Sequence, residues 1–184
     1  MPYWGWIAIG VAAVAVVVAI VVGIRMNRTK QLKDTFGPEY DRTVDEAGSR
    51  SEAESELRDR QKRHDQFDLR PLEPSVREDY LDQWRTTQER FVDDPHGATI
   101  EADHLVLEVM RARGYPVEDI DQRAADISVQ HPQLVDSYRS AHDVAVRQSV
   151  GEASTEDLRN AMRHYRALFD ELLETGVEER LRVR

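Results

Sequence analysis

Cysteine is absent from the 184 residues. That excludes a disulfide framework, a thiol nucleophile and a thiolate zinc site. Glycine (9) and proline (7) are few and dispersed, so no glycine-rich phosphate loop is present. Neither G-x-S-x-G nor H-E-x-x-H occurs, which removes the nucleophile elbow and the zinc-protease helix. No stretch alternates apolar and polar residues as a half-buried strand requires. Aromatic residues make up 7% and are scattered, and the formal charge is −10. That balance argues against nucleic acid as a partner.

What is present is unevenly spread. Residues 1–24 hold no Asp, Glu, Lys, Arg or His, and 20 of them are hydrophobic; the other 160 hold 54 hydrophobic residues and every charge. From Trp4 to Ile24 the run is 21 residues, roughly 31 Å as a helix at ~1.5 Å per residue. That matches a hydrocarbon core of about 30 Å, and backbone in lipid must satisfy its hydrogen bonds internally. Residues 4–24 are therefore expected to cross a bilayer, with Tyr3, Trp4 and Trp6 at one interface. A cleaved signal peptide needs a basic start and a shorter apolar stretch. Arg25, Arg28, Lys30 and Lys33 follow the run with no acid before Asp34. The positive-inside rule then places the first residues outside and the remainder in the cytoplasm of a single-pass inner-membrane protein; the alternative is an extracytoplasmic C-terminal domain. Ala15, Ala19 and Gly23 make a small-xxx-small face that would serve a homodimer.

Residues 25–33 are net +4, and residues 34–184 carry 21 − 35 = −14. The strip 25–33 is expected to hold anionic headgroups through Arg25, Arg28, Lys30 and Lys33, each contributing about 1 kcal/mol. Residues 34–74 read as a charged helical arm. Gly37-Pro38 starts a helix and Gly48-Ser49 interrupts it, with i, i+4 pairs expected at Glu54/Arg58, Glu56/Arg60 and Asp59/Arg63. No apolar seam for a coiled coil exists: steps from Leu57 reach Gln61, His64 and Asp68. Arg58, Arg60, Lys62 and Arg63 form a local basic cluster, better read as a solvated face than as a nucleic-acid contact.

After Arg70-Pro-Leu-Glu-Pro74, helix punctuation repeats. Ser75-Val-Arg-Glu78 has the spacing of a capping box, followed by Val76, Tyr80, Trp84 and Phe91. Asp93-Asp-Pro95 separates that stripe from Ile100, Leu105, Val106, Val109 and Met110, closed by Gly114. Pro116 opens a third stripe, Val117, Ile120, Ala124 and Ile127, which His131-Pro132 closes. A fourth carries Leu134, Val135, Tyr138, Ala141, Val144 and Ala145. Ser154-Thr-Glu-Asp157 caps the last, with Leu158, Met162, Tyr165, Leu168, Phe169 and Leu172 before Gly176. The expected fold is all-α: a single transmembrane helix, a basic strip, a charged arm, a compact bundle of about five helices over 75–176, and a tail over 177–184.

The segments Phe36-Gly-Pro-Glu-Tyr-Asp-Arg42, Arg70-Pro-Leu72, Phe91-Val-Asp-Asp-Pro95, Arg113-Gly-Tyr-Pro-Val117 and Ser154-Thr-Glu-Asp-Leu-Arg159 resemble those of a family of short bacterial proteins with one N-terminal span and a helical remainder. The resemblance covers most of the chain and implies the anchored design. It assigns no activity, cofactor or catalytic residue.

The sharpest metal candidate is Glu101-Ala-Asp-His104 on a helix. Di-iron bundles use two such motifs and further inward glutamates, and only one is present, so no metal, cofactor or catalytic residue is expected. Phe36 and Tyr40 are candidate contact residues, and Trp84 is expected in the core. The function expected is a membrane-tethered helical interaction module for an unknown protein partner, not an enzyme. The alternatives are an enzyme or metal-binding domain built from scattered Glu and His, or an envelope-structural or stress-associated protein.

Overall fold

The computed structural model describes residues 3–117 and 119–182, with side-chain surroundings for residue 12, 15–117 and 119–174. The described residues are helical, joined by turns, with no strand among them. The α-helices are α1 (Tyr3–Phe36), α2 (Pro38–Ala47), α3 (Arg50–His64), α4 (Pro74–Arg90), α5 (Pro95–Arg113), α6 (Ile120–Gln130), α7 (Val135–Ser149) and α8 (Thr155–Arg182). A 3₁₀ turn, Pro132–Leu134, precedes α7. The chain divides into two compact units, residues 1–58 and 59–184.

In the first unit the apolar run and the basic strip are one helix, because α1 passes unbroken through Ile24 to Phe36. Val16, Val17, Val18, Ile20, Val21, Val22 and Ile24 are all exposed. Among the described residues no helix is long and apolar enough to cross a membrane. Most of the first half of the 4–24 run, including Trp4 and Trp6, lies outside the residues whose side chains are described. Gly37, at φ 48°, turns the chain into α2, and Gly48, at φ 69°, ends that helix. Both angles favour a residue without Cβ. The segment expected to be a solvated arm is thus three helical pieces that fold on one another. Leu32, Phe36, Tyr40, Ala53 and Leu57 are buried. Thr29 Oγ1 and the Tyr40 hydroxyl both donate to Glu54 Oε1, at 2.8 and 3.1 Å.

The second unit begins inside the expected arm. Residues 59–74 join this unit: Phe67, Leu69 and Leu72 pack on its core, and Arg70 N–H donates to the Arg113 carbonyl at 2.9 Å. Helix α8 packs on α5 and α7, α4 on α5, and α6 on α7. Trp84 and Phe169 stack at 4.7 Å between ring centres, within a core that includes Val106, Met110, Ile127, Tyr138, Leu158, Tyr165 and Leu168. Gly114 ends α5 at φ 96°; a Cβ there would overlap the Asp68 carbonyl, so the close approach of the 68–70 segment also requires glycine.

Four local readings change. The Ser75 capping box does not form, because Pro74 occupies the first turn and Glu73 precedes it without a side-chain cap bond. The third stripe opens not at Pro116 but at Ile120, where the Asp119 carboxylate accepts from Gln122 N–H. Val76 and Ile100, read as core-facing, are exposed. Helix α8 runs through Gly176 to Arg182; side chains of the expected 177–184 tail lie outside the described residues.

Candidate functional site

The end of the apolar run determines where charge gathers. On α1, Arg25, Arg28, Thr29, Leu32, Lys33 and Phe36 recur at spacings of three and four, so they fall on one side of the helix. Leu32 and Phe36 are buried. Arg50, Glu54 and Arg58 recur every four residues on α3 and share a face there too. Between these faces lies a cleft of about 940 Å³, lined by Arg25, Arg28, Lys30 and Lys33 from α1 and by Arg50, Ser51, Glu54 and Arg58 from α3. Met26 and Thr29 complete the lining.

The lining has six cations and one carboxylate. Glu54 is already committed: it accepts from Thr29 and Tyr40 and stands 3.8 Å from Arg58. Burial, and then the bond to Glu54, raises the Tyr40 pKa, so the phenol stays a neutral donor. Lys33 Nζ lies 5.0 Å above the Tyr40 ring, a cation–π contact that fixes the lysine at the cleft wall. Among the described residues no carboxylate pairs with Arg25, Arg28, Lys30 or Arg50. Chemically, the cleft offers positive charge and hydrogen-bond donors to an anion.

The other candidates disperse. Glu101 pairs with Arg90 at 3.2 Å while His104 is exposed, and no group of three metal-ligating side chains occurs among the described residues. The basic cluster disperses: Arg58 lines the cleft 3.8 Å from Glu54, Lys62 bonds Asp59 at 3.0 Å, Arg63 reaches Asp126 at 3.4 Å, and Arg60 is buried. Of the expected i, i+4 pairs, Glu54/Arg58 forms, whereas Arg63 turns to Asp126 instead of Asp59. Phe36 and Tyr40 are buried, and Trp84 is a core residue. The lining residues that sequence reasoning missed are Arg50 and Ser51, while Glu54 was read only as the partner of Arg58; the stripe at 50, 54 and 58 was the available signal. In the second unit a smaller groove of about 330 Å³ is lined by Phe91, Met162, Arg159, Arg163, Arg166 and Gln88. Comparison with protein families, with curated proteins and with solved structures finds no match.

Proposed function

We propose that this protein is a membrane-tethered helical interaction module. Residues 4–24 anchor it as a single span, the base of the first unit meets the headgroups, and the helical second unit recognises a protein partner. The observation that carries the reading is the described part of α1. Residues 15–24 are apolar and exposed on every face, and cations follow at once. A helix apolar all round needs an apolar surrounding, and leaving seven branched side chains in water forfeits about 1.5–3 kcal/mol each. The resemblance to short bacterial single-span proteins agrees with this design and adds no activity.

The test is membrane integrity. In carbonate-washed membranes the full chain should stay in the pellet, and a chain lacking residues 1–24 should move to the supernatant. Release of the full chain by carbonate would reject the anchor. Photo-crosslinking from exposed positions of the second unit in native membranes, read by mass spectrometry, should give a discrete protein adduct; adducts to lipid alone would reject the recognition role.

A further inference from the structure

The cleft between α1 and α3 is more than a basic strip, and in the tethered arrangement proposed above it falls at the depth of a bilayer's phosphates. Along α1, Arg25 is one residue and Arg28 four residues beyond Ile24, about 1.5 and 6 Å of rise. The headgroup layer of one leaflet is roughly 5–8 Å thick, by difference between total and hydrocarbon thickness. Lys33, at about 14 Å, marks the far wall. Arg50, Ser51 and Arg58 bring donors in from a second helix, so an anion in the cleft is gripped from two sides. Met26 is exposed and lines the same cleft, one turn after the exposed Val22 and two residues after the exposed Ile24. A ligand that places phosphate among the arginines therefore has apolar surface directly beside it for an acyl chain.

We infer that this cleft is a specific site for the phosphate headgroup of an anionic phospholipid, with Arg28, Arg50 and Arg58 as its principal donors. The inference rests on the tethered reading above and deepens it. Three features select the ligand. Several fixed cations without free acid select an anion. A volume of about 940 Å³ admits a whole headgroup and not merely a phosphate. The apolar lip selects a lipid over a soluble polyanion. Glu54 is a positioning residue: by accepting from Thr29 on α1 and Tyr40 on α2 it holds α3 at the distance the cleft needs.

A diffuse strip and a built cleft differ in what α3 contributes, so the test removes only α3 cations. Full-length protein in a non-ionic detergent is titrated with phosphatidylglycerol, phosphatidylcholine or tripolyphosphate, and bound ligand is counted by native mass spectrometry. The wild type should retain one phosphatidylglycerol at least tenfold more tightly than phosphatidylcholine. Arg50→Gln/Arg58→Gln should weaken phosphatidylglycerol about 25-fold, from roughly fivefold per cation near an anionic surface, and leave phosphatidylcholine unchanged. Arg50→Lys/Arg58→Lys should recover most of the loss, which separates charge from folding, and Arg85→Gln should change nothing. Equal binding of the two lipids, or an unaltered Gln variant, overturns the proposal. Tripolyphosphate that binds as tightly and displaces the lipid overturns the lipid assignment in favour of a free polyanion. Carbonate extraction separates the two readings: a chain that stays in the membrane while the Gln variant binds normally costs only the cleft, whereas a chain that washes out costs the anchor as well.

Discussion

Asp157 closes the first turn of α8 on itself. Its carboxylate accepts from the Ser154 hydroxyl at 2.7 Å and the Ser154 N–H at 2.9 Å, while its own N–H donates to Ser154 Oγ at 3.2 Å. Arg147 stands 3.3 Å away. The Ser154 hydroxyl bond, then the Ser154 backbone bond, then Arg147, hold the carboxyl at about 2, below its ordinary 3.8. The folded chain thus takes up this proton at lower pH than the unfolded chain does. The contribution is complete above the unfolded value and is lost as pH falls from 3.8 through about 2. Asp157→Asn should therefore flatten the slope of unfolding free energy against pH in that window, measured by urea titrations at stepped pH; an unchanged slope would show that the cap is open in solution. Asp126 has the opposite sign. Burial, opposed by its bonds to Gln122 and Arg63, raises its pKa, so its charge weighs against folding as pH rises.

Helices with glycine or proline at their ends and large apolar residues on one face were legible from the chain alone. The stripes of α7 and α8, that of α5 apart from Ile100, the Gly114 stop and the Ser154–Asp157 cap appear where composition and spacing place them. Helix α3 was legible as a helix, but its burial was not, for a physical reason. Its buried positions are Ala53, Leu57, Arg60 and His64, so half of that stripe is polar and a hydrophobicity pattern reads it as solvated. Gly114 was read correctly as a helix stop, but its second role, admitting the Asp68 carbonyl, depends on a partner distant in sequence. The segment 59–74 was accordingly expected to be linker. Its contacts predict otherwise. A fragment of residues 59–184 should be more stable than one of residues 75–184 by about 2–4 kcal/mol, the value of three partly buried apolar side chains. The shorter fragment also leaves the buried Asp126 without Arg63. Chemical denaturation of the two would decide it, and equal midpoints would return residues 59–74 to the role of a tether.

At the scale of the molecule, charge is sorted along the chain: none in residues 1–24, +4 in residues 25–33 and −14 beyond. The fold sharpens the sorting, because α3 returns Arg50 and Arg58 to the cations of α1. Gly37, Asp94, Gly114 and Ser154 contribute little to this and make turns and caps. None of these four residues lines the cleft. For the proposed span, the same sorting predicts an orientation. Cations beside a span resist translocation and are retained in the cytoplasm, whereas acids contribute little to that choice, so the acidic remainder does not offset them. A reporter active only in the cytoplasm, fused after Arg184, should function, and one that requires export should not. Replacing Arg25, Arg28, Lys30 and Lys33 with Gln while adding four lysines after Met1 should invert that result. Inversion would establish that these four charges set the orientation. If the unaltered chain instead exported its C-terminal domain, the cleft would face the outer leaflet, and the protein partner proposed for the second unit would have to be sought outside the cytoplasm.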